Sequence, residues 1–173
     1  MSEAELEPID RACLLVGRFL LHFSGIEAGL NDALRKLFEL TPDSADTVCA
    51  NIDFFKKVHI VRSALTDQNK DEAHQETIKQ LFGKIAAINE LRTIVAHANF
   101  EANGTDGVKF TRPMAKTGLQ RTTPIWTEAY CADKFEKMTS LSRELHFLVQ
   151  TIAPYHPSLD FSDPRNSMYL SLL

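Results

Sequence analysis

Seven apolar residues near the start of the chain constrain its fold more than anything else in it. Leu15, Phe19, Phe23, Ile26, Leu30, Ala33 and Leu37 follow one another at spacings of three and four only. That is the period of an α-helix, which places all seven on one stripe, whereas a strand would alternate every second residue. A stripe of this length must be covered by other helices. The spacing predicts a first helix from about Ile9 to Glu39, stopped by Thr41-Pro42-Asp43 because proline cannot continue it.

Three further helices are expected. One spans Ser44 to Leu65 with Ile52, Phe54, Val58, Val61 and Leu65 inward. The next spans Asp71 to His97, buried along Leu81, Ile85, Ile88, Leu91 and Val95. The last spans Ala132 to Ile152, with Phe135, Met138, Leu141, Leu145, Leu148 and Ile152 on one face. Between the last two, residues 99–107 read as a loop because Asn103-Gly104 and Asp106-Gly107 are strong turn dipeptides. Val108–Thr111 and Thr122–Thr127 read as two strands joined through Pro113 and Gly118. Beyond Pro154 the tail ends in Tyr169-Leu170-Ser171-Leu172-Leu173, apolar enough to pack on the body or on a partner. The expected architecture is mainly α: one domain over residues 1–173, a bundle of about four long helices. A β-hairpin insertion (108–127) precedes the last helix, and an extended tail covers 154–173.

At 173 residues the chain can bury a core without staples. Cys13, Cys49 and Cys131 are far apart and odd in number, with no C-x-x-C pair, so buried thiols in a reducing compartment are expected. The acidic start lacks the order of a signal peptide, and no apolar run approaches the ~20 residues of a membrane span. A cytoplasmic protein with no membrane partner is the expectation. A formal net charge of −4 argues against sequence-independent nucleic-acid binding by the whole surface, and leaves room for a local basic groove. His22, His59, His74, His146 and His156 form no cluster at metal-ligand spacing, so neither a metal nor another cofactor is expected.

The chemistry concentrates on the third helix. At about 100° per residue, Ala87, Leu91, Ile94, Val95 and Ala98 fill an apolar arc, while Asn89, Thr93 and His97 lie along the opposite one. Arg92 borders the polar arc from the other side, roughly 140° from His97 around the axis. One helix serves a single flat ligand poorly with that split, and two facing copies serve it better. A solvated helix face that happens to carry an arginine and a histidine is the ordinary alternative.

The run Asn89-Glu90-Leu91-Arg92-Thr93-Ile94-Val95-Ala96-His97-Ala98 ends a long helix that follows a bulky amphipathic first helix. In this it resembles the HEPN superfamily. Ribonuclease members of that family carry an arginine, four to six residues, then a histidine, often with a polar residue three before the arginine, where Asn89 stands. The residue after the arginine is commonly Asn or another polar residue, and Thr93 is a mild departure from that. The segment from Val16-Gly17-Arg18-Phe19 through Glu27 to Leu37, and a hairpin before the last helix, also look like these proteins. The resemblance implies a metal-independent endoribonuclease in which the RNA 2′-hydroxyl attacks its own phosphate. His97 would move the proton, Arg92 would hold the phosphoryl oxygens, and Asn89 would hold a phosphate oxygen or orient Arg92. It also implies a homodimer with the groove between protomers, and a toxin or defence effector with an antitoxin protein as a possible partner.

Two more strips carry expectations. Ser24, Glu27 and Asn31 fall within about 60° on the first helix, and with Thr93 they would support the site, Glu27 by pairing with Arg92. A plain polar border is the alternative. Lys109, Arg112, Lys116 and Arg121, interleaved with Phe110 and Trp126, would form a flap along an RNA backbone, against which stands a solvated hairpin. Ala96 and Ile85 would give the dimer its dry contacts. The rival to a ribonuclease is a non-catalytic HEPN-like dimeric interaction or nucleotide-binding protein, and behind it a plain helical scaffold.

Overall fold

The computed structural model describes residues 6–104, 106–111 and 124–152. Five helices hold 78% of them. In chain order the elements are α1 (Pro8–Leu37), α2 (Pro42–Ala50), α3 (Phe54–Gln68), α4 (Glu72–His97), β1 (Asn99–Ala102), β2 (Val108–Thr111), β3 (Ile125–Trp126) and α5 (Glu128–Ile152). The chain is mainly α, with a small antiparallel sheet before the last helix. The tail 154–173, the hairpin tip with Pro113 and Gly118, and Thr122 and Thr123 lie outside the described residues.

The expected second helix is two helices. The first, α2, ends at its C-cap Asn51, and Asp53 starts α3 afresh, its side chain accepting the Lys56 amide at 2.9 Å. An aspartate there satisfies an orphan N–H that a continuous helix would not have. Thr41 does the same for α2, accepting the Ser44 amide at 3.3 Å, with Pro42 just inside the start. Likewise α5 begins at Glu128 rather than Ala132, because Thr127 Oγ1 accepts the Tyr130 amide at 3.2 Å.

The segment expected as loop after α4 contains a strand. β1 pairs antiparallel with β2 in the register Asn99↔Thr111 to Ala102↔Val108, and β2 pairs with β3 through Val108↔Trp126 and Lys109↔Ile125. The turn dipeptides therefore join two strands instead of filling a loop. Gly104 and Gly107 hold positive φ of 58° and 132°, and the Asn103 amide closes the turn on the Gly107 carbonyl at 3.1 Å.

Packing divides the described residues into two compact units. Of the described residues, the first draws on those within 6–23 and 87–138 and the second on those within 24–86 and 139–152, so α1, α4 and α5 each contribute to both. The core of the first unit includes Leu15, Phe19, Phe23, Val95, Phe110, Trp126 and Phe135, all buried. Trp126 lies 5.3 Å from Phe19 and 4.7 Å from Phe110 by ring centroids, joining the sheet to α1 within that unit. In the second unit Ile26, Leu30 and Leu34 of α1, Val61 and Leu65 of α3, Ile78 and Ile85 of α4 and Leu145 of α5 are fully or nearly fully buried. By length and composition α1 alone among the described helices could cross a membrane, a test that core helices also pass.

Candidate functional site

Helical periodicity places Asn89, Arg92, Thr93 and His97 in the last two turns of α4, within the first unit. Arg92 is half-buried, its guanidinium carbon 5.9 Å from the centroid of the Phe23 ring. The aromatic face gives the cation a fixed resting place without neutralising it. Among the described residues Arg92 has no carboxylate within ion-pair distance. His97 is exposed as the final residue of α4, where the chain turns into β1. Thr93 Oγ1 donates to the Asn89 carbonyl at 2.9 Å, a bond of the helix to itself, so that hydroxyl is committed to the backbone. Asn89 is partly exposed one turn before Thr93.

Phe23 is the residue that sequence reasoning overlooked here. It sits on the apolar stripe of α1, and nothing in the spacing sets it apart from Phe19 as a platform for a cation.

Glu27 and Asn31 belong to the second unit, and the partner of Glu27 is Lys57, not Arg92. Lys57 Nζ donates to Glu27 Oε1 at 2.9 Å, and Lys57 is only 4% exposed. A buried ammonium needs an anion beside it, and Glu27 supplies one. The pair lines an open cleft of about 390 Å³ together with Asn31, Asp46 and Cys49. Asn31 Oδ1 is buried there with no hydrogen-bond donor among the described residues. Burial pushes the Cys49 thiol above its ordinary pKa, with Lys57 pulling the other way. Ser24 is exposed on α1.

The basic flap changes character. Lys109 Nζ lies 2.6 Å from Glu101 Oε1, its cross-strand neighbour on β1. The acid comes from a strand that the sequence reading had not drawn, and it partly neutralises Lys109. Phe110 and Trp126 are 0% and 4% exposed, so they build the core and offer no stacking face to a base. Arg112, Lys116 and Arg121 lie outside the described residues. Ile85 is fully buried and gives no dry contact to a second chain, whereas Ala96 is exposed.

Among the described residues no three His, Cys, Asp or Glu side chains gather as metal ligands. Burial and then the nearby Arg18 charge hold the His22 pKa below its ordinary value, and the ring stacks on Phe135 at 5.1 Å. Comparison of the chain with known protein families, with characterised proteins and with solved structures gives no match.

Proposed function

We propose that the chain is a metal-independent endoribonuclease of the HEPN type, acting as a homodimer whose groove is lined by Arg92 and His97 of both copies. One observation carries the reading. The arginine and the histidine of the motif close the same helix, and among the described residues neither is tied up by a carboxylate. An arginine held against a ring instead of an anion keeps its full charge for a phosphate, and its donor fork matches two phosphoryl oxygens.

In this mechanism the RNA 2′-oxygen attacks the adjacent phosphorus as one His97 imidazole takes its proton. The bond from phosphorus to the 5′-oxygen breaks, and that oxygen takes a proton from the second His97. The products are a 2′,3′-cyclic phosphate and a 5′-hydroxyl. Arg92 stabilises the charge that grows on the equatorial oxygens. The roughly 140° between Arg92 and His97 around α4 argues for two copies, since a two-fold axis sets four groups around one linkage. A small toxin or defence effector, held in check by an antitoxin protein, is the cellular role that this chemistry suits.

RNA cleavage assays test the mechanism. His97→Ala should lower the rate by about 10²–10⁴, and Arg92→Ala by about 10²–10³. Both should leave the circular dichroism of the helices intact, and EDTA should have little effect because the attacking hydroxyl belongs to the substrate. Cleavage that survives both substitutions, or that stops with the chelator, would sink the mechanism.

A further inference from the structure

Half of α1 faces the core, and its opposite flank carries leucines outward. Leu14 and Leu21 are 36% and 55% exposed. They line a shallow groove with Leu6, Asp10, Cys13, Gly17 and Arg18, all on the first unit. At about 100° per residue this flank lies on the far side of the helix from Leu15, Phe19 and Phe23.

We propose that this flank of α1 packs antiparallel against the same flank of a second copy, about a two-fold axis passing between Cys13 and Leu14. In such a pair, residues whose numbers sum to 27 face each other. Cys13 then meets Leu14 of the second copy, and Asp10 meets Gly17 with Arg18 one position away, each contact made twice. Apolar faces apolar, and the acid faces the base. A parallel pair would set Asp10 against Asp10 and Arg18 against Arg18, so charge selects the antiparallel arrangement. An isologous contact needs only this one self-complementary patch. Gly17 and Cys13 are small, so the two helices can approach closely near the axis. The Arg18 guanidinium is presented from a fixed position, 5.0 Å from the Phe135 ring centroid. A lipid surface fits less well, because Asp10 would enter the headgroups within the apolar strip.

The contact is separate from the Arg92–His97 surface, because Phe23, on which Arg92 rests, is on the core side of α1. It therefore stands whether or not the chain cleaves RNA. A single helix face falls below the roughly 1,200–2,000 Å² of a standing interface, so the association should be weak, in the micromolar range.

Sedimentation equilibrium of the full chain over a micromolar concentration series tests it. The chain should self-associate reversibly, Asp10→Arg should weaken the association about tenfold, and the swap Asp10→Arg with Arg18→Asp should restore it. Copper-phenanthroline should trap a Cys13–Cys13 disulfide dimer that Cys13→Ser abolishes, since Cys49 and Cys131 are buried. Because Arg18 touches Phe135, a charge swap that fails to fold leaves Asp10→Arg and the Cys13 cross-link to decide. A chain that stays monomeric, an association indifferent to Asp10→Arg, or a folded swap no better than the single variant would overturn the proposal. So would flotation with anionic vesicles in place of self-association. A dimer formed only through the Arg92–His97 faces would be indifferent to Asp10→Arg and would give no Cys13 cross-link, which keeps the two readings apart.

Discussion

Glu27 shows how a single side chain changes role once its neighbours are known. Lys57 is nearly fully buried and its ammonium points at Glu27 Oε1. Removing the carboxylate strands a cation away from water, a costlier change than losing an exposed pair. The Glu27 side chain is itself 39% exposed, so solvent recovers part of that cost. Glu27→Gln should destabilise the protein by about 1–3 kcal/mol, several degrees of Tm, while RNA cleavage per folded molecule stays as it was. Differential scanning calorimetry beside a cleavage assay decides the matter. Activity lost at an unchanged Tm would return Glu27 to the site, where its place on the polar strip of α1 first suggested it belonged. That partner could not be read from the sequence, because the pair is thirty residues apart and no periodicity links them. Arg92 and His97, five residues apart on one helix, were legible because helical geometry alone sets their relation.

The sheet makes the same point at the scale of elements. The stripe of α1 was readable in full, since Leu15, Phe19, Phe23, Ile26, Leu30, Ala33 and Leu37 are all buried as their spacing requires. β1 was not, because its side chains are largely exposed and its polar residues resemble loop. Only pairing with β2 makes it a strand. The break between α2 and α3 was also hidden, although Asp53 before Phe54 is a start signal that the apolar spacing obscured. The hairpin depends on Gly107, where φ is 132° and an added Cβ would run into the Trp126 carbonyl oxygen and backbone. Gly104 also has positive φ but faces open space. Gly107→Ala should therefore cost about 1–3 kcal/mol, more than Gly104→Ala, which pays only the roughly 1–2 kcal/mol of a left-handed residue. Trp126 is the chain's one tryptophan and is buried beside the turn, so its fluorescence in a urea titration reports both variants. Equal midpoints for the two would mean that the backbone shifts to make room.

For the whole molecule, the titrating groups set a pH window of stability. The His22 pKa is held low by burial and by Arg18, so its contribution is complete above the unfolded value near 6.5. As pH falls through that value the unfolded chain takes up a proton that the folded chain resists, and stability drops. Asp53, Glu76 and Asp133 are held below the usual carboxylate range by hydrogen bonds from Lys56, Gln80 and Lys134. Their contributions disappear at still lower pH. On the alkaline side the Cys131 thiol is pushed up from 9.0 to about 11, first by burial and then by the Glu128 and Asp106 charges. A raised pKa reverses the sign: the contribution is complete below 9.0 and is lost as pH climbs toward 11. Tm should thus be flat between about pH 6.5 and 9 and fall on both sides. His22→Gln should flatten the first acid shoulder and leave the alkaline one in place, because glutamine carries no titrating group. Cys131→Ala should do the opposite in part, leaving the smaller alkaline loss that belongs to Cys49, whose thiol pKa is also raised by burial, at a lower Tm throughout for the volume it removes from the core. An acid shoulder that persists unchanged in His22→Gln would assign that loss to some other group, and the packing of His22 on Phe135 would then carry no linkage to pH.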